Sequence, residues 1–189
     1  MFPFGLWRRG SSERGAKQNA PIADVKAFER QFPGVQLELR ELRARIEANS
    51  NDTEPLLDRA RYFLNSRLPS NRFNCADDCS RALELDPFCA PAYALRAQSL
   101  GDTSHPNRIS GRWPSRAALD YLCAYALDSQ DTASRTAFLR ICAVILRGNS
   151  ELEIAEELGA LKQLLGERIG HHKGEFVFEE LASQIQPLR

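Results

Sequence analysis

Between residues 53 and 130 the chain alternates helix-length apolar stripes with helix breakers, and the stripes carry alanine or cysteine where a larger side chain would ordinarily sit. A small side chain lets two helix backbones approach, so helices written this way are suited to close antiparallel pairing. Thr53-Glu54-Pro55 reads as a helix start, with a capping hydroxyl and a proline in the first turn, where its missing N–H costs nothing. Leu56, Leu57, Ala60, Phe63 and Leu64 supply the apolar face, and Pro69-Ser70-Asn71 is expected to close the segment. A second helix is predicted from Arg72 to Leu85, stopped by Asp86-Pro87, and a third from Ala90 to Leu100, stopped by Gly101. A fourth begins at Pro114-Ser115 and carries Ala118, Leu119, Leu122, Tyr125 and Ala126.

The flanks read as helical too. Pro21 to Phe32 predicts a short helix ended by Pro33-Gly34, and Val35, Leu39, Leu42 and Ile46 form the stripe of another running to about Ala48. Ser134 to Leu146 is apolar nearly all round, so it must be covered on several sides. Gly148 is expected to stop it. Ser150 with Glu153 then forms a capping box for a helix through about Leu165, and a last short helix spans Glu175 to Ile185.

The stretch Cys79-Ser80-Arg81-Ala82-Leu83-Glu84-Leu85-Asp86-Pro87, followed by Ala92-Tyr93-Ala94-Leu95-Arg96-Ala97, resembles the junction between two tetratricopeptide (TPR) motifs. Ala82 and Pro87 match the family's alanine and helix-stopping proline, and Ala60 and Ala97 match the small residue of the first helix. Phe63 and Leu100 match the large residue three positions on; Cys75 and Ala118 match the small residue of the second helix, with Cys79 and Leu122 as larger partners. The likeness covers two repeats, with extra residues at Leu68 to Asn71 and between Gly101 and Pro114. Ala118-Leu119-Asp120-Tyr121-Leu122 with the hydrophobic helix after it is similar to the last repeats of the TPR import receptor of the mitochondrial outer membrane. The resemblance implies an all-α stack of short helical hairpins that binds other proteins. The segments are then an N-terminal arm (1–20), N-terminal helices (21–52), two TPR-like repeats (53–130), and C-terminal capping helices with a tail (131–189), the helices after residue 131 forming a degenerate third repeat or capping hairpin.

Charge narrows the partners. Lys plus Arg total 25 and Asp plus Glu total 25, so the basic excess of a chain that tracks a nucleic-acid backbone is missing and no nucleic acid is expected. No apolar run approaches the roughly 20 residues needed to span a bilayer. The five cysteines are expected to be reduced thiols used as small apolar side chains. The arm is different: Met1 to Trp7 is apolar and aromatic, and Arg8, Arg9, Arg14 and Lys17 follow with Glu13 alone opposing them. Such acid-poor leaders resemble mitochondrial targeting segments, which makes the expected location mitochondrial, otherwise cytoplasmic; the alternative is a disordered or partner-docked arm, and peripheral membrane contact, if any, is expected through this arm.

Catalysis needs convergent titratable groups, and the sequence offers none in a familiar set. His105 precedes a proline, and His171 and His172 follow a glycine, where they are expected as exposed turn residues without a metal. Glu151, Glu153, Glu156 and Glu157 sit at a helix start, where the macrodipole favours acids. No enzyme activity and no cofactor are expected. Some TPR domains grip a terminal carboxylate with an asparagine, a lysine and an arginine; Asp58, Pro91 and Leu95 stand at those positions here, so that mode is not expected. Three partner-binding surfaces are expected instead. One is the insertion, with Arg108, Ile109, Arg112 and Trp113; another is the arm, with Phe2, Phe4, Leu6, Trp7, Arg8 and Arg9; the last is a groove along the first helices of the repeats, with Asp58, Arg61, Tyr62, Tyr93 and Arg96. Other protein subunits are the expected partners.

Overall fold

A computed structural model describes residues 33–66, 69–101, 113–148 and 151–185. Those residues form eight α-helices: α1 (Pro33–Ala48), α2 (Glu54–Asn65), α3 (Pro69–Leu85), α4 (Ala90–Leu100), α5 (Trp113–Leu127), α6 (Thr132–Gly148), α7 (Glu151–Ile169) and α8 (His171–Ile185). The fold is all-α, and there is no strand among the described residues. The chain divides into two units, residues 1–39 and 40–189. The described part of the first is Pro33–Leu39, the opening turns of α1; the rest of α1 and helices α2 to α8 belong to the second.

Consecutive helices from α2 to α6 pack on one another, and α4 also touches α2. Between α3 and α4 the chain turns in residues 86–89, where Asp86 accepts a hydrogen bond from the Cys89 backbone N–H through its own carbonyl and one from Phe88 N–H through Oδ1. Ala60, Ala82, Ala97 and Ala118 are wholly buried, as are Cys75 and Cys79. These are the side chains whose small volume lets the helices close on one another. One apolar cluster gathers Ile46, Leu56, Leu57, Ala60, Cys75, Cys79, Ala82, Cys89 and Ala92. A second runs from Tyr93 through α5 and α6 into α7 and α8, and Leu83 packs against both. All five cysteines are buried, and none forms a disulfide.

Several boundaries fall elsewhere than the sequence predicts. Helix α1 opens at Pro33, ahead of the expected first stripe residue Val35, and Pro69 opens α3 instead of closing α2. Both prolines sit in a first turn, where no backbone donor is lost. Asn71 Nδ2 donates to Ser66 Oγ and Ser66 Oγ to the Phe63 carbonyl, tying the first turn of α3 to the end of α2. Thr53 does not cap α2 with its side chain; Asp52 Oδ1 accepts from Glu54 N–H instead, at 3.0 Å. The capping box expected at Ser150, and the helix expected over 21–32, lie outside the described residues.

The C-terminal helices pair differently from the expected hairpin of α6 with α7. Helix α7 packs on α5 and α8, while α6 packs on α5 and α8. The reason lies in three glycines, Gly166, Gly170 and Gly174. A Cβ on Gly174 would stand 3.1 Å from the Gly166 backbone N and 3.3 Å from Leu165 Cγ, so α7 and α8 meet at bare backbone. Gly170, with φ of +94°, makes the reversal between them, a conformation that side-chain-bearing residues resist. Consequently α7 runs on past Leu165 to Ile169 and α8 starts at His171, not Glu175.

Candidate protein-docking groove

Helix α2, the start of α4 and the turn leading into α6 enclose an open groove of about 280 Å³ lined by Arg61, Ala90, Pro91, Ala94, Leu95, Asp128 and Asp131. Its floor is set by the way α4 begins. Pro91 sits in the first turn of α4, with Ala94 and Leu95 following at helical spacing, so small and apolar side chains face one side. At one rim, Arg61 Nη1 contacts Asp58 Oδ1 at 2.9 Å and Glu54 Oε1 at 3.1 Å, and Arg45 Nη1 reaches the other Asp58 oxygen at 2.9 Å. At the other rim, Asp128 Oδ1 accepts from Gln130 N–H and Asp131 Oδ1 from Ser134 N–H, both at 3.0 Å. The second of these caps the start of α6.

Of the groove residues expected from sequence, Arg61 lines it, while Tyr62 is half-buried with its ring edge-on to Phe63, centroids 6.0 Å apart. Tyr93 and Arg96 correct the expectation. Both are buried, at 5% and 8% exposure, and neither offers its side chain to a ligand in the groove. Arg96 makes a two-point contact with Asp120 of α5, Nε to Oδ2 at 2.7 Å and Nη2 to Oδ1 at 2.8 Å, and donates from Nη1 to Ser80 Oγ at 3.3 Å. Arg168 of α7 joins from the other side, Nη1 to Asp120 Oδ1 at 2.7 Å. Both guanidinium carbons stand over the Tyr93 ring, 5.6 and 5.9 Å from its centre, while Tyr93 OH donates to the Pro87 carbonyl. This fork-shaped geometry is the strong form of the Arg–carboxylate contact.

Electrostatics follow from that packing. Burial works against the charge of Arg96, but the hydrogen bond and negative charge of Asp120 outweigh it and leave the guanidinium pKa raised. Burial also raises Tyr93, and it pushes the neighbouring Cys123 thiol up to about 12. Arg59 and Asp78 repeat the device between α2 and α3, with contacts of 2.8 and 2.6 Å, and the Arg59 pKa is raised chiefly by that hydrogen bond. Arg59 and Arg96 each precede a wholly buried alanine, Ala60 and Ala97, so each of the two hairpins carries its own Arg–Asp clamp at the same place.

Phe2, Phe4, Trp7, Arg8, Arg9, Arg108 and Arg112 lie outside the described residues, and Trp113 opens α5. The sequence reading missed Asp120, Arg168, Asp128 and Asp131. Asp120 was signalled by its position, a lone acid within Ala117-Ala118-Leu119-Asp120-Tyr121-Leu122-Cys123-Ala124. Arg168 was not, because its helix was expected to end before it. Among the described residues there is no cluster of histidine, cysteine and carboxylate side chains placed to hold a metal, and no helix long and apolar enough to cross a membrane. Comparison with protein-family models, curated proteins and solved structures finds no match.

Proposed function

We propose that this chain is a protein–protein interaction scaffold, an accessory subunit of a larger assembly, and that it docks a segment of a neighbour in the groove between α2, α4 and the start of α6. The observation that carries this reading is the groove itself: an apolar floor of Ala90, Pro91, Ala94 and Leu95 held open between charged rims on packed helices. Helices α2 to α5 are, on this reading, two TPR-like repeats. The complete burial of Ala60, Ala82, Ala97 and Ala118 supports that assignment, because those are the positions at which the motif needs small side chains. Phe73 and Phe88, each more than half exposed, add apolar surface beyond the groove. The basic, aromatic arm supports a mitochondrial location, the alternative being cytoplasmic.

A second reading, a receptor or co-chaperone that holds transient peptide segments, is favoured by the small size of the groove, about 280 Å³, which suits a few side chains more than a folded partner. Size-exclusion chromatography of native extract separates the two. Constant co-migration with a large complex is the result expected of a subunit, and a free pool near the chain's own 21.3 kDa is the result expected of a receptor. An extract in which Pro91→Trp, which fills the groove, leaves every crosslinked partner in place would refute docking there under either reading.

A further inference from the structure

The rims of the groove differ in what they have left to give. The Arg61 guanidinium is held by Asp58 and Glu54, and Asp58 is also held by Arg45, so that rim is internally neutralised. At the opposite rim Asp128 accepts from the Gln130 N–H of the α5–α6 turn and Asp131 from the Ser134 N–H in the first turn of α6, and no cation pairs with either among the described residues. Two carboxylates therefore border an apolar floor with no side-chain cation paired to either among the described residues. An anionic or C-terminal segment would be repelled there, and a purely apolar one would leave both charges beside low-dielectric surface.

We propose that the occupant of the groove is a short protein segment carrying arginine or lysine among apolar residues, its apolar side chains on Pro91, Ala94 and Leu95 and its cation against Asp128 and Asp131. This inference rests on the docking role proposed above and adds the chemistry of the partner. The charge complementarity is local: the chain as a whole is neutral, with 25 basic and 25 acidic residues, so general attraction would not produce it.

The test uses the full chain and three fluorescein-labelled peptides that alternate leucine with arginine, with glutamine or with glutamate, read by fluorescence polarisation. The arginine peptide is expected to bind tightest, and its affinity to fall steeply with added salt. In the double variant Asp128→Asn/Asp131→Asn, which keeps a side-chain oxygen to cap the turn, its Kd is expected to rise roughly threefold to tenfold while the glutamine peptide is unmoved. Circular dichroism establishes that the variant is folded. If all three peptides bind alike and all lose binding on Pro91→Trp, the charge inference is overturned and the groove survives. If no peptide responds to Pro91→Trp, both fail. Preference for the glutamate peptide would overturn the inference outright.

Discussion

Asp120 is wholly buried and is the one carboxylate shared by Arg96 and Arg168, so replacing it tests the internal clamp directly. In Asp120→Ala both guanidiniums lose their partner, but unequally. The Arg168 side chain is 30% exposed and can turn to water, whereas that of Arg96 is 10% exposed and is fixed between α3, α4 and α5. Breaking a buried pair by removing one partner costs about 3–5 kcal/mol, because a charge is left without compensation; an ion pair able to reach solvent is worth about 0–1 kcal/mol. Asp120→Ala should therefore cost about 3–5 kcal/mol and Arg168→Met about 1 kcal/mol or less, measured by urea unfolding followed by circular dichroism. The double replacement Asp120→Leu/Arg96→Met removes both charges and should recover most of the loss. A cost of less than about 1 kcal/mol for Asp120→Ala, or no recovery in the double variant, would mean that the pair is not held out of water and that the reasoning is wrong.

Three more outcomes are expected from the geometry. Because burial raises the Cys123 pKa to about 12, the stability this thiol contributes is full below its unfolded value near 8.5 and is lost as pH climbs from there toward 12. Between pH 8.5 and 10 the wild type should lose about 1–2 kcal/mol more than Cys123→Ala, a difference readable from paired urea titrations. Gly174→Val would push a branched side chain into the Gly166 backbone and should cost about 1–3 kcal/mol, whereas Gly159→Ala, with open space around it, should be neutral or raise the melting temperature by the gain in helix propensity, up to about 1 kcal/mol. Peptides ending in Glu-Glu-Val-Asp should show no micromolar binding in a polarisation assay, because Asp58 is already paired and Pro91 and Leu95 carry no charge to hold a carboxylate.

What the sequence made legible and what it did not divide along one physical line. Small residues at helix crossings are readable because only close packing requires them, and so Ala60, Ala82, Ala97 and Ala118 all lie buried where the stripes put them. The helix start at Pro69 was misread because proline stops the helix before it and opens the helix after it with equal ease. The expected helix end at Leu165 and start at Glu175 were misplaced for a related reason, beside Gly166 and Gly174. A glycine near a predicted helix end resembles a cap, yet here the missing side chains serve the contact between α7 and α8, which no local pattern records.

The groove shows the same division at the level of function. Asp58, Pro91 and Leu95 could be placed by position within a motif, and their neutral or acidic chemistry predicted what the groove would not hold. Tyr93 and Arg96 were assigned to it because they fall on the first helix of an expected repeat, where a groove-facing side chain and a buried one cannot be told apart without the neighbouring helices. Their true partners, Asp120 and Arg168, stand 24 and 72 positions along the chain from Arg96, and only the fold brings the three together. The same reasoning makes Asp128 and Asp131 informative. In sequence they are turn residues beside a helix start, a bland role they do fill; in space they stand across an apolar floor from a rim whose charges are spent, and the proposed preference for a cationic guest over an acidic one rests on that juxtaposition.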